Sequence, residues 1–249
     1  TGAPRTTIRR NSDVITFVPD TKKAVVEKRD SLGLFPDRLR TPTNVIPQFY
    51  SAREVGVQRI AGHLADMVEI LPRDELRFGY RIWSEQKSGL VVKLQTLGAS
   101  GQVLEQVAFS ELQLDAPVSM DKLARLMKDT RGYEVVKPAL KKTTPEAEGW
   151  RMKEAVAGFT PMSCHTRETA AAAAPGQSPM QWVFSDGLAS VSLFVEPFDP
   201  QRHGNEEQQV AMGATHSVSR RVGDHWVTAL GEVPPATLKR FADALERIR

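Results

Sequence analysis

The residue pair that most invites a chemical reading is Cys164-His165, a thiol next to an imidazole. Neighbours on an extended strand point to opposite faces, so this histidine does not serve that thiol as a base. The pair reads as a half-buried cysteine beside a surface histidine. The five histidines, His63, His165, His203, His216 and His225, are spread over both halves of the chain with neither an HExxH arrangement nor a helical pair. A metal site would have to be assembled from distant parts, and nothing in the spacing requests one. Gly98 to Gly101 lies between two strand-like runs and lacks the following helix and the lysine of a phosphate loop. Carboxylate pairs such as Asp74-Glu75 and Glu206-Glu207 sit in polar turns, the ordinary setting of solvated charge. A single cysteine excludes an intrachain disulfide and a multi-cysteine zinc site. The expectation is a binding protein with no cofactor, not an enzyme; a thiol enzyme built on Cys164 is the reading that Cys164→Ser would remove.

The elements that would have to position such residues are those of an ordinary soluble chain. It has 249 residues, 41% of them hydrophobic, with 17 Gly and 16 Pro, which excludes collagen, coiled coil and wholesale disorder. That length admits one large domain or two modest ones. The longest nearly apolar run, Gly187 to Val195, is about half of the roughly 20 residues a membrane-spanning helix needs, and serines interrupt it. The formal charge is +3, but the basic residues fall in scattered doublets (Arg9-Arg10, Lys22-Lys23, Lys141-Lys142, Arg220-Arg221), with no basic stripe interleaved with aromatics. No nucleic-acid partner is expected. The chain opens on Thr1 with no charged-then-apolar leader, so a processed or truncated product is expected, which leaves the compartment open.

Period-2 alternation dominates. Thr7 to Arg9, Val14 to Val18 and Ala24 to Glu27 are separated by turn residues and read as hairpins; Ser31 to Ser51, with three prolines, reads as a long irregular connection. Leu64 to Leu71, Phe78 to Trp83, Leu90 to Leu97 and Val103 to Leu112 predict an antiparallel meander with one apolar face. Ser119 is placed to cap a short helix carrying Met120, Leu123, Ala124 and Met127. Polar, unpatterned Asp129 to Gly149 reads as a linker, and Ala170 to Ala174 as a loop ended by Pro175. Gln181 to Ser185, Ala189 to Glu196, Val210 to Arg221 and His225 to Gly231 supply four more strands. Pro234-Pro235 then opens a helix with Leu238, Phe241, Ala242, Leu245 and Ile248 on one face.

Several stretches also resemble a known family. Arg59-Ile60-Ala61-Gly62, Glu69-Ile70-Leu71-Pro72-Arg73-Asp74, Tyr80-Arg81-Ile82-Trp83, Ser88-Gly89-Leu90 and Leu104-Glu105-Gln106 resemble the later strands of the lipoprotein-carrier-like domain of the MucB/RseB family. Phe184-Ser185-Asp186-Gly187-Leu188 and Gly231-Glu232-Val233-Pro234-Pro235-Ala236-Thr237 are similar to that family's second domain. The resemblance implies a mainly β (α+β) chain. Its parts would be a lipoprotein-carrier-like antiparallel half-barrel over residues 1–130, lacking its first strands, a linker over 131–149, and a smaller antiparallel sheet with a packing helix over 150–249. It further implies a periplasmic negative regulator of the sigma-E type envelope-stress response in a Gram-negative cell. Such a regulator binds the periplasmic region of a membrane-anchored anti-sigma factor and shields it from regulated proteolysis. Lipopolysaccharide or another acylated ligand releases it, and a homodimer is the oligomer admitted.

The alternative is a periplasmic lipid or lipoprotein carrier with no signalling role. For a lipid-facing wall the alternation nominates Tyr80, Ile82, Val92, Leu94, Val107 and Phe109, against the plainer reading of a core under a covering helix. For the partner surface, Arg220 and Arg221 are nominated by location and charge, against the plainer reading of solvated surface.

Overall fold

The computed structural model describes residues 4–28, 46–117, 119–137, 140–167, 178–204 and 206–248. The connection read over Ser31 to Ser51 lies largely outside the described residues, and the alanine loop Ala170 to Ala174 wholly so. In chain order the first elements are β1 (Thr6–Arg10), β2 (Asp13–Val18), β3 (Lys23–Lys28), α1 (Ile46–Phe49), β4 (Tyr50–Ile60), β5 (His63–Pro72) and β6 (Gly79–Glu85). There follow β7 (Val91–Leu97), β8 (Val103–Ala108), α2 (Met120–Lys128), β9 (Glu134–Val136), β10 (Leu140–Lys142), β11 (Trp150–Met152) and β12 (Thr160–Arg167). The chain ends through β13 (Met180–Ser185), β14 (Ser190–Pro197), β15 (Gln208–Met212), β16 (Thr215–Val222), β17 (His225–Gly231), α3 (Pro235–Ala244) and β18 (Leu245–Arg247). It is mainly β, built of several antiparallel sheets with few helices.

Two compact units divide the chain. The first comprises Thr1–Asp37 and Leu112–Ala139. Its sheet runs β1-β2-β3-β9, the last pairing parallel to β3. The alternation of β2 buries Ile15 and Phe17, which with Ala24 form a small core; Met127 of α2 and Tyr133 pack against it, Tyr133 edge-on to Phe17 at 5.1 Å. Ser119 caps α2 as its position predicts, its hydroxyl accepting from the Lys122 N–H at 3.2 Å.

The second unit comprises Arg38–Glu111 and Leu140–Arg249. It holds a five-stranded meander, β4-β5-β6-β7-β8, and a seven-stranded sheet ordered β10-β12-β13-β14-β17-β16-β15. α3 packs on β14, β16 and β17. Its Leu238, Phe241 and Ala242 close a core with Trp182, Phe184, Val191, Leu193, Val218, Val227 and Ala229. Phe241 meets Phe159 edge-on at 5.3 Å and Phe184 at 5.0 Å. Each such aromatic pair adds about 0.5–1.5 kcal/mol beyond the area it buries.

Several elements differ from the sequence reading. Asp129 to Gly149, read as a linker, contains β9, which pairs parallel with β3, and β10, which pairs with β12: short polar strands at sheet edges carry no apolar period to announce them. The C-terminal helix stops at Ala244: Leu245–Arg247 turns extended and pairs with Trp150–Met152, so Leu245 is buried from a strand and not from a helix face. Val210 to Arg221 is a hairpin, β15 and β16, folded about Gly213-Ala214. β4, eleven residues long, is a strand that the alternation did not reveal, because it lies at a sheet edge with nearly every side chain exposed and therefore carries no apolar period.

Candidate functional site

The register of the five-stranded sheet decides which of the nominated apolar residues meet. Ile82 of β6 lies opposite Leu94 of β7, which lies opposite Val107 of β8. Tyr80 and Val92 are two residues along from members of that row and therefore share its face, as does Phe109, whose N–H donates to the Val92 carbonyl at 3.0 Å. All six nominated residues thus belong to one sheet face. They differ in cover: Tyr80, Ile82, Val92 and Leu94 are buried, Phe109 is partly so, and Val107 is 38% exposed at the β8 edge.

The opposite face is polar in a structured way. Glu69 accepts from Arg53 Nε at 2.9 Å and Nη2 at 2.6 Å on one side and from Arg81 Nε at 2.9 Å on the other. Those hydrogen bonds, Arg53 first and Arg81 next, hold its carboxyl below the usual glutamate range. Beside them Trp83, opposite both Met67 and Lys93, is roofed by the Lys93 ammonium 4.4 Å from a ring centroid and donates its indole N–H to Gln58 at 2.9 Å. Long polar side chains thereby cover an apolar centre while their heads stay wet.

Between β5 and β6 lies a charge with a partner on each of its guanidinium nitrogens. The Arg77 guanidinium is fully buried, 4.3 Å from the Phe49 ring centroid and 4.9 Å from that of Phe159. Its Nε donates to Asp186 Oδ2 at 2.9 Å, and its other nitrogens reach Asp74 and the Ala157 carbonyl. Asp186 is fully buried as well. Its Oδ2 also accepts from the Tyr50 hydroxyl at 2.7 Å, while Oδ1 accepts the Leu188 and Ala189 N–H groups at 2.9 and 2.7 Å. Burial, then the neighbouring Tyr80 and Asp186, drive the Tyr50 hydroxyl far above its usual pKa, so it stays a donor. Gly158, at φ +81°, passes so close to Arg77 and Phe49 that a Cβ there would strike both. Next to the cluster Thr237 donates to the Leu76 carbonyl at 2.8 Å, and Leu76 itself enters the core under α3. The β5–β6 loop is therefore built into the seven-stranded part of the unit.

Arg220 and Arg221 point to opposite faces of β16. Arg220 bonds Asp243 of α3, whereas Arg221 lies 4.1 Å from the Phe198 ring centroid and donates to the Gly223 carbonyl at 2.8 Å. They do not form one patch. Cys164 is buried opposite Trp182, and burial, with Glu148 and Glu146 nearby, pushes its thiol up to about 11. Among the described residues no three of His, Cys, Asp and Glu gather as a metal site would need. His203 instead stacks on Trp226 at 5.2 Å, and Arg247 bonds His225 at 2.9 Å.

The junction escaped the sequence reading. Asp186-Gly187 looks like a turn and is one, through Oδ1; nothing local tells that Oδ2 is spent on residues about a hundred positions earlier. The one available signal is Arg77 itself, a charge set between Leu76 and Phe78, both of which are buried.

Fold and comparisons together define a class: a mainly β chain assembled from two domains of one family. The family model described as the MucB/RseB N-terminal domain matches residues 1–127, and that of the MucB/RseB C-terminal domain matches residues 144–246. The chain belongs to the MucB/RseB family. It is 32% identical over 213 residues to the "Sigma factor AlgU regulatory protein MucB" of Pseudomonas aeruginosa, covering 84% of this chain and 64% of that protein. To the "Sigma-E factor regulatory protein RseB" of Escherichia coli K12 it is 26% identical over 254 residues, covering 98% of this chain and 74% of that one. Among solved structures, that of MucB in complex with MucA(peri) superposes with a TM-score of 0.68 at 25% identity, over 98% of this chain and 87% of that one. The Pseudomonas aeruginosa MucA/MucB complex, at 24% identity and a TM-score of 0.69, shows the same fold.

Proposed function

We propose that this chain is a negative regulator of a sigma-E type envelope-stress response. It acts in the periplasm, where it binds the periplasmic region of a membrane-anchored anti-sigma factor and keeps it from the first protease of a cleavage cascade. The observation that carries this reading is the likeness, over 98% of the chain, to a MucB structure described as a complex with MucA(peri). Occlusion is sufficient as a mechanism: a bound segment is cut only from its free fraction, which falls as the regulator exceeds its dissociation constant.

Release requires a ligand that prefers the unbound regulator, since only differential affinity moves the equilibrium. We assign that role to lipopolysaccharide or another acylated ligand, with Tyr80, Ile82, Val92, Leu94, Val107 and Phe109 as its wall. The shared face and the exposed Val107 at its rim support an approach from the β8 edge. Arg220 and Arg221 are offered as separate partner contacts, one on each face of β16. The test is a pull-down on the immobilised periplasmic segment of the anti-sigma factor, with and without lipopolysaccharide. Capture that lipopolysaccharide reverses is expected. A stoichiometric lipid on the chain together with no capture would mean a carrier instead.

A further inference from the structure

We infer that the outer edge of β15 takes an extended polypeptide segment as an added strand, an uncharged stretch bracketed by basic residues about seven positions apart. On the regulator reading above, on which this rests, the occupant is a stretch of the anti-sigma factor's periplasmic region. Exposed sheet edges are templates for pairing, and folded proteins blunt them with charges, prolines or bulges. The other edges here follow that rule: β1 carries Arg9 and Arg10, β9 Glu134, β10 Lys141 and Lys142, β8 Glu105, β11 Arg151, β18 Glu246 and Arg247, and β4 Arg53, Glu54, Arg59 and a register shift at Gly56. β15 reads Gln208-Gln209-Val210-Ala211-Met212, with no charge, no proline and no register shift. Its Val210 is 62% exposed and its Met212 77%.

The hairpin fixes which backbone groups are available. Met212 and Thr215 flank the two-residue loop Gly213-Ala214, whose Gly213 has φ +63°, so they are a hydrogen-bonded pair. Counting by two, Val210 with Ser217 and Gln208 with Ser219 are hydrogen-bonded pairs as well. The N–H and C=O groups of Gln209 and Ala211 therefore point outward, and among the described residues no hydrogen bond takes them. Two N–H and two C=O groups repeating about 6.8 Å along an edge match another extended backbone.

The side chains around the edge set the composition of that strand. Gln208, Val210 and Met212 share one face, where Val210 stands in a row with Ser217 and the exposed Leu230 of β17. An added strand extends this uncharged row, so its own residues there are apolar or neutral. Both ends of β15 are acidic: exposed Glu206 precedes it, and the Glu105 side chain lies beside Gly213 just past it. Among the described residues neither has an ion-pair partner, whereas Glu207 is held by Lys239 at 3.0 Å. A basic residue at each end of the added strand meets those two carboxylates. A second copy paired about Val210 would instead bring its Glu207 against Gly213 and so toward Glu105, acid beside acid. Strand addition also accounts for shielding, since a protease takes its substrate as a lone extended strand and a segment hydrogen-bonded into a sheet does not enter its cleft.

Proline at Ala211 removes one outward N–H and leaves the β15–β16 ladder intact. By fluorescence anisotropy of the labelled periplasmic segment of the anti-sigma factor, Ala211→Pro should bind roughly tenfold more weakly than the unaltered chain. The double variant Glu105→Gln, Glu206→Gln should bind more weakly at low salt and no differently at high salt. Amide exchange followed by NMR reads the pairing itself: adding the segment should slow the Gln209 and Ala211 N–H groups. No binding to the unaltered chain would overturn the regulator reading and the added strand with it. Binding that leaves those two amides exchanging as in the free chain, or that Ala211→Pro does not weaken, would overturn the added strand alone. So would slowing of the same amides by a higher concentration of the chain without the segment, the mark of a second copy at this edge.

Discussion

Arg77 and Asp186, 109 residues apart in sequence, form an ion pair at 2.9 Å in which both side chains are wholly buried. A pair so placed is not kept for cheap stability, since desolvating two charges offsets most of their attraction. Its consequence is positional. Arg77 belongs to the stretch matched by the family's N-terminal domain and Asp186 to that matched by its C-terminal domain, yet both lie in one compact unit. Arg77→Met leaves the buried Asp186 carboxylate without its cation and should cost about 3–5 kcal/mol, whereas Asp186→Asn leaves Arg77 still paired with Asp74 and should cost less. The double variant should cost clearly less than the sum, as urea unfolding of the four chains in a double-mutant cycle will read.

Tyr50→Phe isolates one strand of the same cluster. It deletes a hydrogen bond to a buried carboxylate that keeps Arg77 and two backbone N–H groups, so a loss of about 1.5–3 kcal/mol is expected, below that of Arg77→Met. The hydroxyl stays protonated throughout the alkaline range because its pKa is raised, so no tyrosinate absorbance should come from Tyr50 before the chain unfolds.

Glu69 should make the five-stranded sheet acid-sensitive. Its folded-state pKa is depressed by Arg53 and Arg81, so its contribution is fully present above the ordinary glutamate range. That contribution is lost as pH falls through the lower, folded value. Thermal melts of Glu69→Gln should show a shallower decline on the acid side of the ordinary value of 4.5 than the parent. The difference should shrink in high salt, because Arg53 is largely exposed.

Cys164 should be chemically quiet. With its pKa pushed up to about 11 it is almost entirely thiol at pH 8, and it is buried. Alkylation by iodoacetamide at that pH should be far slower than for an exposed cysteine and become fast only in denaturant. Rapid modification of the folded chain would contradict this burial.

How much of this was legible in the sequence varied with how local its cause was. The Tyr80/Ile82 and Val92/Leu94 alternation reported a sheet face correctly, because the pleat has period two whatever the sheet packs on. The Ser119 cap and the Pro234-Pro235 helix start were likewise local chemistry. The short strand Leu245–Arg247 was not, since Leu245 continues the helical spacing of Leu238 and Phe241. Only its pairing with Trp150–Met152 and the Lys153 N–H donated to the Ala244 carbonyl end the helix there. Arg77–Asp186 was beyond reach for the same reason: each residue is an unremarked loop charge until the fold brings in the other.

The most direct measurement of the central claim is the cleavage rate of the anti-sigma factor's periplasmic segment by the first protease of its cascade, with the chain absent, with it in excess, and with lipopolysaccharide added. Slow cleavage in the presence of the chain, restored by lipopolysaccharide and less readily restored for a Val107→Glu variant, is the predicted result. Equal rates with and without the chain would contradict it.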